Sequence, residues 1–110
     1  SPQLLANMLR GKKTTLFLVA LADMAQVDFH TARKIVERRE MDALAVICKA
    51  ADFDRSLFLT FALLILEQTD DVMMRAKAYG ELYANLPRES ALRTIRFWRL
   101  RRQTGDVAAA

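Results

Sequence analysis

A chain of 110 residues has room for one domain around a single hydrophobic core. With 53% hydrophobic and 27% charged residues it is neither disordered nor membrane-spanning, and three Gly and two Pro are too few for a turn-rich β protein. One cysteine excludes an intrachain disulfide framework and, with good helix formers dominant, composition points to an all-α domain in a reducing, cytoplasmic setting.

Pro2 suits the first turn of a helix, where its missing N–H costs nothing. Leu4, Leu5, Met8 and Leu9 recur at helical spacing, and Gly11 is expected to stop this helix. A second helix is predicted over 14–25, with Leu16, Phe17, Ala20, Leu21 and Met24 on one face and Leu18 and Val19 on the other. Asp28 is placed as the N-cap of a helix over 29–39, which turns Phe29, Ala32, Ile35 and Val36 inward. A fourth helix, 41–51, faces Leu44, Ala45, Ile47 and Cys48 to the core.

Asp54 caps the next helix, 55–68, with Phe53 and Phe58 set as a hydrophobic staple across the cap. Between Leu57 and Leu66 the only polar side chain is Thr60. The run is too short for a bilayer and apolar on every side, so it is predicted to be the central helix that the others wrap. A helix over 69–86, opened by Thr69, Asp70 and Asp71, carries the stripe Val72, Ala76, Tyr79, Tyr83 and Leu86, with Gly80 allowing close approach or a bend. Ser90 is expected to cap a last helix, 91–102, and 104–110 to form a flexible tail.

The segments 24–28 and 50–54 share the order helix, small residue, spacer, hydrophobic residue, capping Asp. This suggests an internal repeat of helical hairpins. The expected fold is therefore all-α: an orthogonal helical bundle or a short helical-repeat (αα-hairpin) array of six to seven helices. Residues 1–103 are read as one domain, a fragment of a longer chain.

Two constellations bear on function. The stretch 21–36, LADMAQVDFHTARKIV, resembles the helix-turn-helix of bacterial repressors of the lactose-repressor type. That resemblance puts Val27 in the turn and His30 and Thr31 at the start of a recognition helix, with Arg33 and Lys34 within reach of phosphate. Gln26 stands where Gly is usual in such turns. The plain alternative is a helix hairpin with a capped turn.

The last helix is the second. Between residues 87 and 103 there are six Arg and one Glu, whereas the remaining chain holds eleven basic and twelve acidic residues. The whole basic balance of +4 thus comes from one helix. Arg93, Arg96 and Arg99 climb it as a ladder continued by Arg102, beside an apolar stripe of Ala91, Leu92, Ile95 and Trp98. Such a face is a candidate for binding an anionic partner: nucleic acid, an acidic protein patch or an anionic surface. The alternative is a solvated helix end whose arginines pair with Asp70, Asp71 or Glu81.

Catalysis has little to stand on. His30 and Cys48 are the only residues of their types, no Gly-rich phosphate loop occurs, and Asp52 and Asp54 lack the Gly and Glu spacing of a calcium loop. No cofactor, metal or small-molecule substrate is expected, and no enzyme.

Several pieces together resemble the C-terminal part of an alphaproteobacterial family catalogued as a domain of unknown function. They are Thr15-Leu16-Phe17, Leu21-Ala22 with Val27, Val36, Ala43-Leu44-Ala45 with Cys48-Lys49-Ala50-Ala51, and the closing Ala91-Leu92-Arg93 with Phe97-Trp98-Arg99. The resemblance implies an all-helical, cytoplasmic bacterial domain within a longer chain. It supplies no catalytic residues. The leading functional expectation is a non-catalytic protein-interaction or regulatory module, with a protein partner or a second copy covering excess apolar surface. The alternative is nucleic-acid binding through 28–39 or the Arg-rich helix.

Overall fold

The structure, a computed structural model, describes residues 2–66 and 72–109, and within these not the side chains of residues 72, 73 and 102–109. Seven helices follow one another: α1 (Pro2–Arg10), α2 (Thr14–Ala25), α3 (Phe29–Glu37), α4 (Met41–Ala50), α5 (Arg55–Ile65), α6 (Val72–Ala84) and α7 (Arg88–Ala109). No strand occurs among the described residues, so the all-α expectation holds.

The first four turns share one hydrogen-bond pattern. Lys12, Gln26, Arg39 and Asp52 take left-handed φ values of 59, 58, 56 and 63°. Each donates its N–H to the carbonyl three residues back, at 3.0–3.3 Å. The N–H of the next residue reaches five back: Lys13 to Met8, Val27 to Ala22, Glu40 to Ile35 and Phe53 to Cys48, at 2.9–3.0 Å. This is the Schellman ending of a helix, which usually employs Gly at the left-handed position. Here none of the four is Gly. Gly11, expected as the stop, has no positive φ and lies one residue before the left-handed Lys12.

The 26-residue repeat is therefore present in the turn geometry. Gln26-Val27-Asp28 and Asp52-Phe53-Asp54 place a left-handed residue, a buried hydrophobic residue and a capping carboxylate in the same order. Asp28 accepts from the N–H groups of His30 and Thr31, and Asp54 from that of Leu57 at 2.8 Å. The left-handed residue in fact returns every 13 or 14 positions from Lys12 to Asp52, so the repeating unit is one helix with its turn.

The central helix is α4, not α5. It packs against α2, α3, α5, α6 and α7, and of its side chains only Asp42 is exposed. The helix α5 packs against α1, α4 and α6, burying Leu57, Phe58, Phe61 and Ala62 and leaving Leu59, Leu63, Leu64 and Ile65 half-buried. The reason is side-chain size. The distance between packed helices depends on the residues at the contact, and the alanines and Cys48 of α4 let neighbours approach from several sides at once. The bulky run of α5 fills one side of the core.

Phe53 meets Phe61 edge-on at 6.1 Å, Phe61 meets Phe17 at 5.2 Å, and Phe58 stacks on Tyr83 at 4.7 Å. The rings expected to staple each other across the α5 cap thus each find a partner deeper in the core. Gly80 is buried, and a Cβ there would lie only 2.7 Å from Nη2 of the Arg55 guanidinium. Its role is close approach.

The helix α7 starts three residues earlier than expected. The carbonyl of Pro87 accepts from Ala91 at 3.1 Å, and Ser90 lies inside the helix, its carbonyl taking the Thr94 hydroxyl at 3.0 Å. Ser90 is therefore not the cap. The backbone of α7 continues past the expected end at Arg102 to Ala109. Thr69, Asp70 and Asp71, expected to open α6, lie outside the described residues.

Candidate functional site

The helix α7 lies on α4 through Ala91 and Ile95, which are buried, and through half-buried Trp98. Contact along a single stripe leaves both flanks of α7 open, and clefts form where other helices end nearby. One cleft, of about 590 Å³, lies between the ends of α2 and α4 and the first half of α7, with Met24, Ala50, Leu92, Arg93, Arg96 and Arg99 among its walls. A second, about 340 Å³, joins the α2–α3 turn to Trp98 and Arg99 and includes Asp23, Gln26 and Thr31. A third of about 340 Å³ is walled by Thr31, Lys34, Ile35, Arg38, Trp98 and Arg101. Arg99 lines the first two clefts, and Trp98 and Thr31 line the last two.

The arginines differ in how far they are committed. Arg88 donates to the Ala50 carbonyl at 3.2 Å, with its Nε 4.0 Å from Asp52, and so ties α7 to the end of α4. Arg93 donates to the Ser90 hydroxyl at 3.2 Å. Arg101 stands over the Phe97 ring at 5.9 Å. Arg96 and Arg99 are exposed, and no ion pair joins either to an acid among the described residues. Among the described residues Glu81 pairs with none of the ladder, while Asp70 and Asp71 and the side chain of Arg102 lie outside them.

Apolar side chains are interleaved with these charges. Leu92 is 37% exposed and Met24 40%, both in the first cleft, while Phe97 and Leu100 stand out from α7 at 56% and 62%. The predicted stripe is thus split. Ala91, Ile95 and Trp98 hold the helix down, and Leu92 remains at the surface.

The residues of the repressor-like stretch part company. Thr31 and Lys34 face clefts beside α7. His30 is exposed with its ring edge-on to Phe29 at 5.7 Å. Arg33 is half-buried, with its Nε 3.9 Å from Glu37, one turn on in the same helix. Gln26 adopts the left-handed conformation a Gly would supply and donates from its side chain to the Asp23 carbonyl at 2.7 Å. Sequence reasoning did not foresee that Trp98, Arg38 and Arg101 join Thr31 and Lys34. The one signal was the Arg-rich composition of α7; its position across a cleft from α3 is a tertiary fact.

Cys48 is fully buried among apolar side chains, and that burial pushes its thiol pKa far up. It does not meet the exposed His30. Among the described residues no three His, Cys, Asp or Glu side chains gather as metal ligands. No helix among them is long and apolar enough to cross a membrane.

A family model described as "Uncharacterised protein conserved in bacteria (DUF2336)" matches residues 1–96. The chain belongs to this family. No curated protein and no solved structure matches it. The DUF2336 match takes in α1 to α6 and α7 as far as Arg96. In this DUF2336 chain Phe97, Trp98 and Arg99, which border the clefts or stand at the surface, lie just past the matched residues.

Proposed function

We propose that this domain is a non-catalytic interaction module of a bacterial cytoplasmic protein, and that it holds an anionic partner on the open flank of α7. The observation that carries this reading is the pair Arg96 and Arg99, exposed and free of ion pairs with described acids, in a cleft that also displays Met24 and Leu92. Charge that is not neutralised internally remains available to a partner. Apolar surface beside it adds affinity that salt does not screen. The sealed thiol and the separation of Cys48 from His30 support a non-catalytic role.

Titration of the domain with labelled poly-glutamate at low and high salt tests the anionic site. Binding that weakens with salt, and that falls at least tenfold in the double variant Arg96→Glu/Arg99→Glu, supports it. No binding at low salt ends it.

A second reading, nucleic-acid binding, draws on Thr31, Lys34, Arg38 and Arg101 lying around one cleft. A filter assay with duplex DNA at two salt concentrations checks it, because neutralising several phosphates makes affinity fall steeply with salt.

A further inference from the structure

We propose that the partner on the α7 flank is a short amphipathic, acidic helix of another protein, seated in the cleft formed by the ends of α2 and α4 and the first half of α7. This rests on the interaction-module reading above and names its ligand. The walls of the cleft separate two chemistries. Its floor is apolar and small-featured: Ala25 and Ala50, with Ile95 beneath. At the edge Met24 and Leu92 remain more than a third exposed, an apolar pair from two different helices facing one groove. A phosphate backbone has nothing to place against such a pair, whereas one Leu or Phe of a helix does.

Arg96 and Arg99 stand one turn apart on α7, so their guanidinium groups are spaced for carboxylates at i and i+3 or i+4 of a helix lying alongside. The stretch from Arg88 to Arg99 rises about 16 Å, enough to accompany about three turns of a partner helix. Arg88 closes one end, already held by the Ala50 carbonyl and Asp52. The surroundings also weigh against a nucleic-acid backbone. Glu89 lines this cleft and Asp23 lines the adjoining one, both exposed. A continuous row of phosphates would meet those carboxylates, while a peptide places its acids only opposite Arg96 and Arg99.

Fluorescence anisotropy with three labelled probes decides it. The probes are a helix-forming peptide of about four turns with Leu and Glu on one face, a scrambled peptide of the same composition, and a short DNA duplex. The ordered peptide is expected to bind at least tenfold tighter than the scrambled one. Arg96→Glu/Arg99→Glu should abolish binding, and Leu92→Asp or Met24→Asp should weaken it about tenfold. Both apolar residues are exposed enough for these variants to fold, which circular dichroism verifies. Equal binding of both peptides, lost in the Arg variant, overturns the amphipathic-helix proposal but leaves the anionic interaction module standing. Binding of duplex in preference to the ordered peptide overturns the proposal in favour of nucleic acid. Absence of binding to every probe overturns both the proposal and the reading beneath it.

Discussion

The buried Tyr83 hydroxyl donates a hydrogen bond to the Phe53 carbonyl, linking the last turn of α6 to the turn between α4 and α5. The Tyr83 ring stacks on Phe58 and carries the Lys49 ammonium 4.0 Å above it. Tyr83→Phe keeps the stack and removes only the donor, leaving a buried carbonyl without that partner. The variant should lose about 1–2 kcal/mol of stability, read as a lower urea midpoint at unchanged slope. An unchanged midpoint would mean that the bond contributes nothing net.

The same region is expected to make the fold alkali-sensitive. Burial raises the Cys48 thiol pKa; burial first, then the charges of Cys48, Asp54 and Asp52, raise that of Tyr83. Both groups stay protonated in the folded chain at pH values where the unfolded chain releases its protons. The unfolded state then binds fewer protons, so stability falls as pH rises. The decline should begin near pH 8.5, where an unfolded thiol ionises, and steepen past about pH 10, where tyrosine follows. Each group contributes a slope of at most about 1.4 kcal/mol per pH unit. Cys48→Ala should flatten the first phase alone, which urea melts at pH 7, 9 and 10 will check.

Arg39 bears a left-handed φ of 56° with an exposed side chain. Relief of that conformation is worth about 1 kcal/mol, of which the greater freedom of an unfolded Gly takes back part. Arg39→Gly is expected to stabilise the domain by roughly 0.5 kcal/mol, while Arg39→Ala gains nothing because Ala shares the strain. Gln26→Gly should gain less than Arg39→Gly, since it forfeits the side-chain bond to the Asp23 carbonyl. Thermal melts of the three variants rank them; a stabilising Ala variant would refute the backbone explanation.

Two leucines one turn apart on α5 should behave differently. Leu59 is half-buried against the core, so Leu59→Asp introduces a charge there and should cost about 3 kcal/mol or unfold the domain. Leu63 is half-buried but is not among the residues packed on the core, and with Arg55, Ser56, Leu59 and Thr60 it lines a shallow outer groove. Leu63→Asp should therefore leave a folded protein, destabilised by about 1 kcal/mol at most. If Leu63→Asp also dissociates an oligomer seen by sedimentation, that groove is an interface.

Much of this was legible in the chain. The apolar spacing of Phe17, Leu21, Ala32, Ile35 and Val36 read correctly because each repeats at helical period and each is buried, whereas Leu16 and Met24, placed on the same face of α2 as Leu21, are exposed. Asp28 and Asp54 read correctly because capping is local chemistry. What failed was partly local, at Gly11 and Ser90, and partly not. The choice of α5 as the hub took apolar bulk for centrality, whereas α4 holds the centre with small residues. Gly11 was expected to stop α1 by its left-handed freedom, yet Lys12 takes that conformation and Gly11 does not. For the candidate site, the arginines of α7 announced themselves by composition. Their grouping with Met24 and, across Trp98, with Thr31 and Lys34 depends on where α7 lies over helices more than sixty residues earlier, which no spacing rule encodes.

The hub position of α4 has a consequence for how the chain comes to fold. Its most extensive neighbour is α7, whose Ala91 and Ile95 close over it only after some forty further residues have been made. Contacts of such long sequence separation carry the largest loop-closure cost and set the slow step of folding. On the ribosome, the α4 face that α7 covers stays unsealed until α7 emerges, a window in which apolar surface is open to chaperones or to misassembly. Residues that fix α7 to α4, Arg88 at the Ala50 carbonyl among them, would then shape the yield of folded protein more than its final stability.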